Sequence, residues 1–291
     1  MKAVLCLILC IFSVAKPEQE VYNRNDIAVL MQIIEDNSDS FSSNESALKT
    51  MGWNNSDVAF WKHIIWNGDH PKRIEGLNLS GLGIAKLNIR GLDSLKHLDI
   101  SNNRITSVSL PLSLEMLDVS KNQLESLSVE SMSQLESLVA DQNRIKAIRL
   151  PVFSKLRLLN VKDNQLKRLN VSMQSQLVSL NFGNNVIHSM DLSNNFHLRT
   201  IKGRNNYLKE MWMPSLLANS FPSLELRNCP KCKKLFPLLK LKKHGVQHQC
   251  PDHHRKNAEE MVSITNNIID FKMPKTSSQM VNKMGYNIYI F

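Results

Sequence analysis

Leu95-Lys96-His97-Leu98-Asp99-Ile100-Ser101-Asn102-Asn103 is followed, nineteen residues on, by Leu114-Glu115-Met116-Leu117-Asp118-Val119-Ser120-Lys121-Asn122. Both stretches read LxxLxLxxN, and the pattern returns from Leu135 to Asn143, Leu156 to Asn164, Leu177 to Asn185 and Leu198 to Asn206. The final asparagines are separated by 19 residues once and then by 21 four times, and each is followed two residues later by Ile or Leu. A fixed period of this length means that one small unit is stacked on copies of itself. An imperfect first copy, Leu77-Asn78-Leu79-Ser80-Gly81-Leu82, carries Leu where Asn is expected, and a last copy, Phe221 to Cys229, carries Cys there. Atypical end copies suit the terminal turns of a stack.

Within each copy the alternation at the LxL centre predicts a short strand, with Leu117 and Val119 turned inward and Met116, Asp118 and Ser120 outward. The asparagine falls where the chain leaves the strand and turns back. Its amide can both donate and accept there, so the row of asparagines is expected to satisfy buried backbone groups, a structural duty. About a dozen residues remain for the return path, enough for extended or 3₁₀ segments and too few for a long helix.

These residues resemble the leucine-rich-repeat family, whose signature LxxLxLxxN/CxL is matched over about residues 74 to 229, a little over half of the chain. The resemblance implies an α/β repeat solenoid, a horseshoe with a parallel concave β-sheet, a short helical N-terminal cap and an irregular C-terminal cap. It also implies binding of another molecule on the concave face.

The expected organisation is a signal peptide over residues 1–15, a helical cap over 16–73, about eight repeats over 74–229, and a basic C-terminal cap and tail over 230–291. The leader reading rests on Lys2, the apolar run Ala3 to Phe12 and the small residues Ser13 and Ala15. No later stretch approaches the ~20 apolar residues of a membrane helix, and the chain is expected to be secreted. Sequons at Asn44, Asn54, Asn78 and Asn170 accord with that route. In the cap, Asp26 to Asp36 and Asp57 to Trp66 both show helix-like apolar spacing, with Asp57 or Ser56 as N-cap of the second. Trp53, Trp61 and Trp66 are expected to cover the open edge of the first repeat.

Composition, with 42% hydrophobic and 21% charged residues, excludes global disorder. The formal charge of +10 is concentrated between Lys231 and Lys256. Cys229, Cys232, Cys250 and His253 have the ligand spacing of a zinc ribbon. The expected secretion route favours instead a capping disulfide from Cys232, or Cys229, to Cys250. No glycine-rich phosphate loop, H-E-x-x-H or G-x-S-x-G motif occurs, so neither a catalytic site nor a cofactor is expected.

The candidate binding surface is the row of outward positions. The central one reads Asn78, Asp99, Asp118, Val139, Asn160, Asn181, Lys202 and Glu225; the next reads Ser80, Ser101, Ser120, Asp141, Lys162, Gly183, Arg204 and Arg227. The face runs from acidic and neutral to basic, and its positions are expected to vary free of structural constraint. Asp118, Lys162, Lys202 and Arg204 are the expected contacts for an extracellular protein or an acidic glycan; no specific nucleic acid is expected. The rival readings are a wall or matrix component that self-associates and a zinc-binding intracellular adaptor.

Overall fold

A computed structural model describes residues 22–40, 44–53, 58–152 and 155–212, together with the strands Ser223–Glu225, Met280–Val281 and Asn287–Ile288. The cysteines, the proposed leader and the lysine-rich stretch after Lys231 lie outside the described residues. The chain divides into two units, 1–254 and 255–291.

The first unit is a solenoid built on one nine-stranded sheet. Eight of its strands are parallel and follow the repeat: Ile74–Asn78, His97–Asp99, Met116–Asp118, Ser137–Val139, Leu158–Asn160, Ser179–Asn181, Thr200–Lys202 and Ser223–Glu225. Their register is unbroken, since Leu77, Leu98, Leu117, Leu138, Leu159, Leu180 and Ile201 stand opposite one another in succession. Each of these side chains is buried, and so is the second inward row Leu79, Ile100, Val119, Ala140, Val161 and Phe182. Neither row could be dried by one turn alone. Neighbouring turns supply the cover, so stability resides in the interfaces between them.

The return path is extended. Leu87–Asn88 pairs with Val108–Ser109, Ser126–Ser128 with Ala147–Arg149, and Ser189–Asp191 with Glu210–Trp212, all in parallel. Ile105, Leu124, Ile145, Leu166, Ile187 and Leu208, each two residues after a repeat asparagine, are fully buried and extend the core. At the opposite corner Gln174 donates to Pro151 O at 2.6 Å, and Asn195 donates to Val171 O at 2.9 Å and Gln174 O at 2.8 Å. These buried amides form a second polar seam between turns.

The cap begins with helix α1, Arg24–Asp36, whose N-cap Asn23 accepts from the Asp26 N–H. Helix α2, Asn44–Met51, follows. Two polar residues pin α1 to the solenoid. Asp26 is fully buried, accepts from Arg73 Nε at 3.0 Å through both oxygens, and accepts from the Ile74 N–H at 2.8 Å. Asn37 accepts from the N–H groups of Ala85 and Lys86 and donates to Ile33 O and Lys86 O. Its amide thus ties the end of α1 to the return segment of the first copy.

The second cap helix expected from Asp57 to Trp66 does not form. Val58–Phe60 makes a single 3₁₀ turn and Ile64–Trp66 is a strand, antiparallel to Ile74–Asn78 at the edge of the sheet. An unpaired parallel strand leaves a row of open N–H and C=O groups, and pairing them outweighs the weak helical preference of so short a segment. Ser56 and Asp57 lie outside the described residues. Trp53 and Trp61 are buried and stacked, with ring centroids 5.8 Å apart, and Trp53 Nε1 donates to Lys62 O at 2.9 Å. Trp66 sits in the edge strand against Tyr22.

In the second unit, Met280–Val281 and Asn287–Ile288 form an antiparallel pair.

Candidate functional site

Each turn delivers its outward residues through one repeated corner. The residue before each repeat asparagine, from Asn102 through Lys121, Gln142, Asp163 and Asn184 to Asn205, has φ between 54° and 56°. This left-handed step reverses the chain after the strand, and its occupants are polar residues, none of them β-branched. The asparagine that follows is then aimed into the core. Asn164 Nδ2 donates to Ala140 O of the preceding turn at 2.9 Å and to Val161 O and Lys162 O of its own, while Oδ1 accepts from the Ile145 N–H at 2.9 Å. Asn103, Asn122, Asn143, Asn185 and Asn206 donate in the same pattern. The expected structural duty of the row is met, and one amide also serves two turns.

The fold is that of the leucine-rich repeats. No family model matches the chain. Toll-like receptor 2 of Bison bison and of Ovis aries is 37% identical over 93 residues, which is 28% of this chain and 12% of the receptor. The chain thus spans about an eighth of the length of these relatives. Among solved structures, YopM, a leucine-rich effector protein from Yersinia pestis, aligns with 80% of this chain and 69% of its own at 20% identity and a TM-score of 0.42. The functional domain of InlJ from Listeria monocytogenes covers 44% of this chain and 32% of its own at 23% identity and a TM-score of 0.39.

On the outer face of the sheet the central outward row lies in register. Asn78, Asp99, Asp118, Val139, Asn160, Asn181, Lys202 and Glu225 are successive cross-strand partners. They are not free of structural duty, and here the expectation is corrected. Asn78, Asp99 and Asp118 accept from the N–H groups of Ser80, Ser101 and Ser120 at 2.8–2.9 Å, and Asn160 and Asn181 accept from those of Lys162 and Gly183 at 3.2 Å. Each side chain closes the start of the corner in its own turn, so a short oxygen-bearing residue is favoured there on local grounds.

Among the four expected contacts, Asp118 is only 9% exposed, whereas Arg204 is exposed and Lys162 and Lys202 are half-buried. Burial pushes the Asp118 carboxyl up to about 6, against the hydrogen bonding from Ser120, and the charges of Asp99 and Asp141 add to the rise. Its role is thereby shifted from an open contact toward a recessed acid in the sheet.

The basic half is more accessible and more polar. Lys162 Nζ lies 2.7 Å from Asp163 Oδ2. Asn184 donates to Asp163 and Asn205 donates to Asn184, so the corner residues of three turns are linked along the edge of the face. Partial burial raises the Asp163 carboxyl, but the bonds from Lys162 and Asn184 and the charges of Lys162 and Arg204 outweigh it and hold it below the usual value. Gly183 separates Lys162 from Arg204 in the row. A Cβ there would come 3.3 Å from Arg204 Cγ, so the Arg204 stem lies over the space a side chain would take. Lys202, in the central row, is the cross-strand partner of Asn181. The three cations therefore share one end of the face, and Asp118 lies apart from them, four strand positions from Lys202.

Among the sequons, Asn78 is on the sheet and Asn170 is exposed on the return side, each accepting from the N–H of its sequon serine. The side chains of Asn44 and Asn54 lie outside the described residues, as does the set Cys229, Cys232, Cys250 and His253. Among the described residues no cluster of His, Cys, Asp and Glu could hold a metal, and no helix is long and apolar enough to cross a membrane.

Proposed function

We propose that this chain is a secreted recognition module, without catalytic activity of its own, that binds a protein through the outer face of its parallel sheet. Lys162, Lys202 and Arg204 are its principal contacts, with Asp118 contributing at the acidic end. The observation that carries this reading is the graded face itself: on eight parallel strands in register the outward positions pass from Asp99 and Asp118 to Lys162, Lys202 and Arg204. At ~4.8 Å per strand this surface is roughly 35 Å wide, a span suited to a folded partner. Charges on such a face steer encounter and select the partner. Residues 1–15 serve as the leader in this reading, 16–73 as the N-terminal cap, 74–229 as the repeats and 230–291 as the C-terminal cap with its Cys232–Cys250 bridge.

The test is capture of partners from extracellular extract by the secreted chain and by a Lys202→Glu, Arg204→Glu double variant with an unchanged unfolding profile. A protein retained by the parent and lost by the variant supports the reading. Equal capture by both overturns it.

A further inference from the structure

The return side of the solenoid carries a second charged array, unrelated to the sheet face. Three residues after the repeat asparagine, the copies read Thr106, Glu125, Lys146, Lys167, His188 and Lys209, so the last four of these turns hold a basic residue at one position. All four are exposed. The backbone keeps them in register: the Lys146 N–H donates to Glu125 O at 2.9 Å and the Lys209 N–H to His188 O at 2.8 Å, while Gln165 to Ile145 O and Val186 to Leu166 O fix the turns between. At ~4.8 Å per turn the row is about 14 Å long.

Arg144 and Arg168 stand beside it, and the return segments 143–150 and 164–171 contain no acid. Lys146 pairs with Glu125 at 2.8 Å at one end of the row. Asp191 and Glu210 are the acids at its other end. Among the described residues no ion pair engages Lys167, Arg168 or Lys209. Like charges on adjacent turns oppose folding, and Lys167 and Arg168 have no acid within their own return segment.

We infer that this row binds a linear anionic glycan, sulfated or carboxylated, lying across the turns. The step between turns is close to the length of one sugar unit, so a chain bearing an acid on successive units would meet Lys146, Lys167 and Lys209 on three of four turns, with the His188 imidazole between the last two. A single-stranded nucleic acid fits less well, because it would require aromatic platforms in step with the cations. The positions next to the row are Ala147, Arg168 and Ser189, and the Tyr207 ring is already stacked on His188 at 5.6 Å. Trp212 is confined to the last of these turns.

The test uses the full chain and heparin as the probe, read as Kd across a salt series. The variant replaces Lys146, Lys167 and Lys209 by Thr, the residue that Thr106 supplies at the same position. A second variant, Lys233→Gln, Lys234→Gln, Lys242→Gln and Lys243→Gln, addresses the lysine-rich stretch. The expected result is about tenfold or greater weakening by the Thr variant near physiological salt, with a shallower dependence of log Kd on log salt. Heparin affinity within twofold of the parent for the Thr variant overturns the inference, whatever the second variant does. Tighter binding of a polythymidine oligonucleotide than of heparin, lost in the Thr variant, overturns the glycan assignment.

Discussion

Asp99 and Asp118 face each other directly across adjacent parallel strands, each carboxylate accepting the N–H two residues further on, from Ser101 and Ser120. Two acids in this relation repel, and burial holds the Asp118 carboxyl up at about 6. An unfolded aspartate ionises near 4. Between these values the folded chain holds a proton that the unfolded chain has lost, so stability falls as pH rises from about 4 through about 6.

Asp118→Asn keeps the oxygen that accepts from Ser120 and removes the charge. At pH 8 the variant should be more stable than the parent by about 1–2 kcal/mol, and at pH 4 the two should coincide. Urea unfolding at both pH values measures this; equal midpoints at pH 8 would contradict the burial of an ionised acid there.

Asn164 makes four hydrogen bonds inside the ladder, across two turns. Asn164→Ala leaves the Ile145 N–H and the Ala140 carbonyl without this partner in a dry site, and the expected cost is about 2–4 kcal/mol, more than one group's penalty. Denaturant titration checks it. A loss under about 0.5 kcal/mol, within the usual range for surface changes, would mean that the ladder is dispensable.

Leu159 is 1% exposed between Leu138 and Leu180. Leu159→Ala should cost about 2–5 kcal/mol by loss of burial and the cavity that remains. Because neighbouring turns depend on each other, one cooperative transition at a lower temperature is expected in calorimetry.

Asp26→Ala should cost about 3–5 kcal/mol, because it strands Arg73 and leaves the Ile74 N–H without its carboxylate. Hydrogen exchange gives the sharper reading: faster exchange is expected at Ile74 and along α1, with residues 156–206 unchanged.

The repeated part of the structure was legible in the sequence because its causes are local and recur. A Leu every second residue sets a strand face, and an Asn at a fixed offset sets the corner, so the strands, their register and the ladder follow from counting. The edge strand Ile64–Trp66 was misread as helix because Ile64 and Ile65 are too few to separate a period of 2 from one of 3.6. What decides between them is the open edge of Ile74–Asn78, a tertiary fact. Asn37 was invisible for a related reason, since its partners Ala85 and Lys86 lie 48 and 49 residues away with no motif between. For the site, alternation placed Asp118 on the outward face but carried no sign of how far its neighbours bury it. Nor could it show that the Asx side chains of that row hold the backbone. Gln174 and Asn195 occupy one repeat position and differ in residue type, which hid the second seam.

Each ladder asparagine bonds only to its own turn and the one before it, at separations of 2, 3, 19 or 24 residues, or 17 and 22 for Asn122 after the shorter copy. A gene encoding such a chain can therefore gain or lose a 21-residue cassette by unequal recombination, with the breakpoint anywhere in the period, and every broken bond is remade by the equivalent residue of the next copy. The breadth of the exposed face is thus open to inheritance in discrete steps, while the N-terminal end, tied by the contact of Asp26 with Arg73, must be inherited whole.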